Sequence, residues 1–79
     1  MSEFAYIELS SVPDPLKDGA ARRLDTTSGH TLVSFVGCPM VGREIENGEI
    51  EFSFPRAVEI RESFIDWMLY WGIPFRVFV

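Results

Sequence analysis

The dipeptide Asn47-Gly48, flanked by side chains of alternating polarity, constrains the fold of this chain more than any other feature. Asparagine and glycine tolerate the positive φ angles of a tight type I′ turn, so residues 41–54 are predicted to form a β-hairpin. A two-residue turn fixes the cross-strand register of such a hairpin. The predicted register pairs Glu46 with Glu49, Ile45 with Ile50, Glu44 with Glu51 and Arg43 with Phe52.

The predicted hairpin has one acidic face and one apolar face. Glutamates that lie directly opposite one another repel, which destabilises a strand pair by a few tenths to about 1 kcal/mol. A domain of this size has a total stability of only about 5 kcal/mol or somewhat more. Two interpretations stay open: a solvated face that prevents edge-to-edge association, or a recognition surface on which a cationic partner relieves the repulsion. The apolar face comprises Val41, Ile45, Ile50, Phe52 and Phe54, with Arg43 among them.

A helix is predicted over residues 57–71, because apolar side chains there recur every three or four positions. The glycine and the proline that follow are typical of a helix end. On the opposite side of the helix, Glu59, Glu62 and Asp66 have the spacing i, i+3, i+7 and form one polar ridge. Helical spacing places Tyr70 beside Asp66, and exposed tyrosines are frequent anchors of binding interfaces.

The whole pattern predicts an α+β fold, with a mainly antiparallel sheet of four to six strands packed against the helix of the C-terminal half. A chain of 79 residues has room for a single small domain, residues 1–79. Residues 13–20 are predicted to form a loop or a single helical turn. Further strands are predicted at residues 4–9, 21–25, 31–36 and 75–79. The predicted core comprises Ile7, Leu9, Leu32, Val33, Phe35, Ile45, Ile50, Phe52, Phe54, Ile60, Phe64, Met68, Trp71, Phe75 and Val77.

The net charge of −5 is concentrated in one part of the chain. Residues 44–66 contain seven acidic and two basic side chains, while the acids and bases elsewhere balance. Duplex DNA and anionic membranes repel a protein of this charge, so direct binding to either is not expected. The N-terminus lacks the pattern of a secretory signal and no apolar run approaches 18 residues, so we expect a cytoplasmic protein.

The sequence offers no catalytic or metal-binding motif. Cys38 is the only cysteine, which excludes an internal disulfide, and His30 is the only histidine, which leaves a zinc site short of ligands. A nucleophilic pair of these two residues would lack an orienting third group and an oxyanion motif. Glutamates on a flat sheet lack both the apolar pocket of a catalytic acid and the backbone carbonyls of a calcium loop. We therefore expect no enzymatic activity, no cofactor and no metal site.

The clustered acids favour a binding module that blocks a positively charged nucleic-acid-binding site on a partner protein. Rows of carboxylates create a negative field that steers the chain toward a basic groove and displaces the anion that normally binds there. This hypothesis predicts that Glu44→Lys combined with Glu51→Lys abolishes partner binding and leaves the domain folded. The predicted partner-binding residues are Glu44, Glu46, Glu49, Glu51, Glu59, Glu62, Asp66 and Tyr70.

In size, acidity and motif-free composition the chain resembles the small, phage-encoded anti-CRISPR proteins directed at type I effector complexes. The resemblance is carried by Glu44, Glu46, Glu49 and Glu51 around Asn47-Gly48. It implies a non-enzymatic inhibitor that acts in the host cytoplasm and occupies a positively charged nucleic-acid site on a Cas subunit of the Cascade complex. A second class of function stays open: a homo-oligomeric structural or virion-accessory protein of a phage, such as a homodimer, with its surplus aromatic residues buried between copies.

Overall fold

Six strands form one antiparallel sheet in the structure, a computed structural model that describes residues 3–78. The strand order is β2-β3-β4-β5-β1-β6, and one long helix packs against the sheet. The predicted α+β class is therefore confirmed, with the strand number at the upper end of the predicted range. The elements are β1 (Phe4–Glu8), α1 (Asp14–Asp18), β2 (Ala21–Leu24), β3 (Thr31–Ser34), β4 (Val41–Glu44), β5 (Glu49–Ser53), α2 (Val58–Trp71) and β6 (Phe75–Phe78).

Helix α2 begins one residue after the predicted start and ends at the predicted residue. Its end is a Schellman motif, in which Gly72 takes a left-handed φ of 67° and its N–H donates to the Leu69 carbonyl at 3.2 Å. The Ile73 N–H donates to the Met68 carbonyl at 2.9 Å, and Ile73 itself is buried. The glycine thus directs the chain back under the helix and into β6.

Helix α1 is a short element where the sequence predicted a loop or a single helical turn. It contains five residues, and the Pro13 carbonyl accepts hydrogen bonds from the N–H groups of Leu16 and Lys17. Leu16 is buried, so α1 closes one end of the core. The β2–β3 hairpin forms as predicted, and the Asp25 N–H donates to the His30 carbonyl at 2.8 Å across its loop.

The core lies between α2 and the face of the sheet that we call the inner face. Phe52 of β5 and Phe64 of α2 are fully buried, with ring centroids 4.9 Å apart. The Trp67 indole N–H donates to the Val36 carbonyl at 3.0 Å, which ties α2 to the end of β3. The predicted core residues Ile60 and Val77 are 43% and 41% exposed, because they lie at the margins of the helix–sheet contact. The prediction omitted the buried residues Ala5, Val12, Leu16, Trp67 and Ile73.

The β4–β5 hairpin is present, but its register differs by one residue from the prediction. The connection contains three residues, Glu46–Gly48, and the Ile45 N–H donates to the Glu49 carbonyl at 2.9 Å. Both Asn47 and Gly48 have the positive φ angles expected of this dipeptide, 68° and 72°. The four predicted cross-strand pairs are therefore wrong. The observed pairs are Arg43 with Glu51 and Glu44 with Ile50.

The close approach of β4 to the core explains this register. Gly42 lies on the inner face, where an added Cβ would come within 2.4 Å of the Ile50 Cγ2 atom and 2.8 Å of the Phe52 ring. Only glycine fits at such a distance. In the predicted register Arg43 would lie opposite Phe52 among apolar side chains, where an unpaired guanidinium is strongly unfavourable. The one-residue offset instead turns Arg43 to the other side of the sheet, beside Glu51.

No helix within residues 3–78 combines the length and the apolar composition needed to cross a bilayer. The longest helix, α2, has 14 residues, which corresponds to about 21 Å. This is shorter than the hydrocarbon core of a typical membrane, which is about 30 Å thick.

Candidate partner-binding surfaces

Three of the four hairpin glutamates form ion pairs with arginines of the same chain. The Arg22 Nη2 atom lies 3.1 Å from the Glu44 Oε1 atom. Arg43 pairs with Glu51, and Arg76 of β6 pairs with Glu49. The side chains of Glu51 and Glu49 are only 13% and 20% exposed. The charge of these carboxylates is therefore largely compensated within the molecule.

The predicted face of four mutually repelling carboxylates is not what the structure contains. The one-residue change in register places Glu44 opposite Ile50, on the side of the sheet away from Glu51. Glu51 then meets Arg43 of the adjacent strand β4, and Glu44 meets Arg22 of β2, two strands away. Glu46, at the exposed tip, is the only member of the four that has no ion pair among residues 3–78. Repulsion along this hairpin therefore does not require a cationic partner.

Glu51 is also the acceptor of a tyrosine hydrogen bond. The Tyr6 hydroxyl of β1 donates to the Glu51 Oε2 atom at 2.7 Å. This hydrogen bond to a carboxylate is the main factor that raises the pKa of Tyr6 above its ordinary value near 10. Glu51 thus joins three adjacent strands, β4, β5 and β1, through two side-chain partners. Its position is that of a structural residue.

An open cleft of about 700 Å³ lies at the tip of the hairpin. Its walls include Glu44, Glu46 and Glu49 together with His30 from the β2–β3 loop. Glu44 and Glu49 belong to the ion pairs described above. Within residues 3–78, no group of three or more His, Cys, Asp or Glu side chains is arranged to hold a metal ion.

The exposed side of α2 carries an acidic ridge, which we define as Glu59, Glu62 and Asp66. All three side chains are exposed, on the side of the helix opposite the buried Phe64 and Met68. None of them takes part in an ion pair among residues 3–78. The predicted ridge is thus confirmed. Together with Glu46, its three acids are the members of the acidic 44–66 segment whose charge is not compensated by an ion pair among residues 3–78.

Arg61, the basic residue within α2, is directed away from the acidic ridge. Its Nε atom donates to the Pro55 carbonyl at 3.0 Å, and its Nη2 atom lies 3.3 Å from the Glu3 carboxylate. Its guanidinium also stacks on the Phe54 ring, 4.7 Å from the centroid. With its charge and its donors engaged at the sheet margin, Arg61 does not neutralise the ridge.

Two apolar side chains extend the acidic ridge at the C-terminal end of α2. Tyr70 is 81% exposed, and its ring contacts the edge of Trp71 at a centroid distance of 5.3 Å. Leu69, which the sequence reasoning missed, is 66% exposed. Its spacing of three residues from Asp66 is the signal that could have identified it. Uncompensated acids and an exposed aromatic group therefore share one helix surface.

The ridge and the hairpin acids Glu49 and Glu51 lie on opposite sides of the molecule. Glu51 alternates along β5 with the buried Phe52, so it faces away from α2, and Glu49 lies two residues before it on the same face. The ridge lies on the far side of α2, which covers the inner face. Glu49 and Glu51 therefore do not form one continuous surface with the ridge.

Cys38 follows β3 and His30 precedes it, so the two residues lie toward opposite ends of this strand. Burial raises the pKa of the Cys38 thiol to about 11. His30 lies in the loop that precedes β3, where its backbone N–H donates to the Ser28 hydroxyl at 3.3 Å. The thiolate is the nucleophilic form of cysteine, so Cys38 is an inert thiol at neutral pH.

We predict that Cys38 reacts slowly with iodoacetamide in the folded protein. At pH 8 a thiol of pKa about 11 contains about 100-fold less thiolate than one of pKa 9, its ordinary value here. A more basic thiolate is also more nucleophilic, which offsets part of this difference, so labelling followed by mass spectrometry should be about tenfold slower in buffer than in concentrated urea. Equal rates in buffer and in urea would contradict the packed, neutral state of this thiol.

Comparison with protein-family models, with curated proteins and with solved structures gave no match to this chain.

Proposed function

We propose that this protein is a non-enzymatic binding module that inhibits a nucleic-acid-binding protein by covering its positively charged site with the acidic ridge of α2. The observation that carries the proposal is the contrast between two sets of acids. Three of the four hairpin carboxylates are engaged by arginines of the same chain, whereas Glu59, Glu62 and Asp66 are exposed without ion pairs among residues 3–78. The ridge therefore places three uncompensated negative charges side by side on one helix surface.

The linear charge density of the ridge supports mimicry of a nucleic acid. Seven residues separate Glu59 from Asp66, which corresponds to a rise of about 10 Å along an α-helix. A single nucleic-acid strand carries one phosphate per about 3.4 Å of helix axis, so three phosphates span about 7 Å. The ridge presents three negative charges over about 10 Å on a rigid backbone, which is a comparable though lower density. The long, flexible Lys and Arg side chains that bind a strand can reach carboxylates at this spacing.

Tyr70 and Leu69 give the ridge a specific anchor beside the charges. Interfaces derive most of their affinity from a few aromatic and basic residues that become fully desolvated, with the charged rim adding steering and orientation. An exposed tyrosine also has the shape to occupy a surface on which a base would stack. We therefore assign Tyr70 the role of anchor, and the acids the role of steering and of pairing with cations.

The hairpin acids take a smaller part in this proposal than the sequence alone indicated. Glu44, Glu49 and Glu51 pair with arginines of other strands, and a partner would have to displace those arginines to use the carboxylates. Glu46 is exposed at the hairpin tip and is free to contact a partner that extends beyond α2. The resemblance to anti-CRISPR proteins suggests a type I Cas subunit in the cytoplasm of a host cell as the partner to test first.

The test is displacement of labelled target DNA from a purified type I effector complex. The wild-type protein is expected to release DNA at a stoichiometry of about one to one, because it acts by occupancy and not by turnover. Glu62→Lys with Asp66→Lys reverses two charges of the ridge and is expected to weaken inhibition about 100-fold.

The matched control for this test is Asp14→Lys with Asp18→Lys, which makes the same change of charge on α1. Both side chains are exposed, so the fold should tolerate the substitutions. The control pair should inhibit within about threefold of the wild type. Equal losses in the two variants would show that net charge and not the ridge matters. Undisturbed DNA binding at excess wild-type protein would contradict the proposal.

A further inference from the structure

Strand β2 forms an edge of the sheet, with a neighbouring strand on one side only. All four of its residues are exposed. The hydrogen bond from the Asp25 N–H to the His30 carbonyl fixes the alternation of the β2–β3 ladder, because bonded pairs recur every two residues. The backbone N–H and C=O groups of Arg22 and Leu24 therefore point to the open side. These four groups are available to an additional strand.

The two edges of the sheet differ in charge. At the β6 edge, the charge of Arg76 is compensated by an ion pair within the chain. At the β2 edge, Arg23 forms no ion pair among residues 3–78. The acid that follows β2, Asp25, accepts two hydrogen bonds within its own loop, at 3.1 and 2.8 Å. The β2 edge thus exposes a cation that no carboxylate of the described chain binds.

Ala21 and Arg23 lie on the face of the sheet turned away from α2, which we call the outer face. The residue between them, Arg22, pairs with Val33, which is fully buried on the inner face, and side chains alternate along a strand. A hollow of about 310 Å³ lies beside this edge. Its lining comprises Ala21, Leu32, Ser34 and Val41 together with Arg22 and Arg23. A side chain over Ala21 would therefore meet apolar surface, and one beside Arg23 would meet a cation.

We propose that the β2 edge binds an extended acidic segment of a partner protein, which adds to the six-stranded sheet antiparallel to β2. The backbone of the segment bonds to the outward-pointing groups of Arg22 and Leu24. The segment residue opposite Arg23 is acidic. The residue two positions later lies opposite Ala21, and it is large and apolar because its side chain covers the hollow. The segment therefore has the pattern acid, any residue, large apolar residue.

The arginines of β2 select this occupant over a second copy of the chain. Antiparallel pairing of two β2 strands would bring the arginines of both copies together, and like charges across a strand pair are unfavourable. At physiological salt, charges more than about 8 Å away are largely screened, so the segment responds to Arg23 and not to the net charge of −5. Because only a few residues make contact, we expect a dissociation constant of roughly 100 µM.

The probe is a fluorescein-labelled peptide of ten residues with high strand propensity, in which phenylalanine follows glutamate by two positions. Fluorescence anisotropy measures its binding to the full chain. N-methylation of the residue between glutamate and phenylalanine removes a donor that faces β2, and it should weaken binding at least about tenfold. N-methylation of the glutamate removes a donor that faces solvent, and it should leave the affinity within about threefold.

Two pairs of protein variants test the backbone and the charge separately. Leu24→Pro removes an N–H that the fold does not use, so it should weaken peptide binding at least about tenfold, whereas Leu24→Ala keeps this donor and should stay within about threefold. Arg23→Glu should weaken binding about tenfold, and a peptide with lysine in place of glutamate should recover it. Arg56→Glu makes the same change at an exposed residue outside β2 and should have little effect.

Three results would overturn the proposal: no binding of the peptide at about 1 mM protein, equal effects of the two N-methylated peptides, or self-association of the chain that Leu24→Pro abolishes, which would assign the edge to a second copy. Circular dichroism shows whether Leu24→Pro is folded, and the N-methylated peptides test the edge without any change to the protein. The inference is independent of the proposed function. Leu24→Pro keeps the acidic ridge, so its displacement of DNA reports on the ridge alone.

Discussion

Replacing Gly42 with alanine is expected to remove about 3 kcal/mol from the free energy of unfolding. The new Cβ would lie 2.4 Å from the Ile50 Cγ2 atom and 2.8 Å and 2.9 Å from two carbons of the Phe52 ring. Both neighbours are fully buried in contact with other core residues, so neither can move without disturbing the packing. A domain of this size has a total stability of about 5 kcal/mol or somewhat more, so the loss is a large fraction of the total. It is the largest effect that we expect from one added methyl group.

Urea unfolding of Gly42→Ala and Gly19→Ala, side by side, checks this expectation. Gly19 has a φ of −89°, and its added Cβ would be 3.4 Å from the Pro15 carbonyl oxygen and 3.5 Å from Val36. These are ordinary contacts, so Gly19→Ala should change stability by less than about 1 kcal/mol. A Gly42→Ala protein as stable as the wild type would mean that β4 does not pass the core as described.

Glu51→Lys is expected to destabilise the fold by about 2 kcal/mol, the second-largest effect. The substitution places a lysine beside Arg43 and removes the acceptor of the Tyr6 hydroxyl, at a side chain that is only 13% exposed. Glu44→Lys should add a smaller loss, since it brings a second cation close to the more exposed Arg22. The double reversal is therefore expected to weaken the fold, so a loss of binding in that variant would not by itself identify a binding surface.

Glu46→Lys is the matched control, because it makes the same chemical change in the same hairpin. Glu46 is exposed and has no ion pair among residues 3–78, so its reversal should leave the unfolding midpoint nearly unchanged. Thermal unfolding followed by circular dichroism measures all three variants. If Glu51→Lys were as stable as Glu46→Lys, the ion pair and the tyrosine hydrogen bond would have no structural importance.

Helix α2 could be predicted from the sequence because its determinants are local. Apolar side chains repeat at helical spacing from Ile60 to Trp71, and Gly72 supplies the left-handed residue that ends the helix. The same spacing placed Glu59, Glu62 and Asp66 on the exposed side without reference to any other element. The predicted range and ridge therefore differ little from the structure.

The register of the β4–β5 hairpin could not be predicted in the same way. Asn47-Gly48 indicated where the chain turns, but the number of residues in the turn depended on contacts made elsewhere. Gly42 must pass against Ile50 and Phe52, and this requirement comes from the packing of the whole sheet. The predicted register is wrong by only one residue, yet this difference is enough to assign every side chain of β4 to the wrong face of the sheet.

Of the predicted acidic site, the arrangement of the helix acids agrees with the structure and that of the hairpin acids does not, again because the hairpin depends on contacts that are distant along the chain. Sequence proximity grouped the hairpin glutamates with one another, whereas their partners are distant along the chain, as with Arg76 and Glu49. Pairings between remote strands leave no local pattern of charge. The helix acids were identified correctly as a ridge because no remote side chain within residues 3–78 pairs with them.

The central claim is that the charges of the acidic ridge bind the partner. The salt dependence of inhibition tests this claim most directly. Glu59→Gln, Glu62→Gln and Asp66→Asn together keep the shape of α2 and remove its negative charges. The apparent dissociation constant of the wild type, from DNA displacement at several salt concentrations, should rise steeply with salt. The amide variant should bind more weakly at low salt and show a flatter slope. Equal slopes and equal affinities for the two proteins would contradict the account.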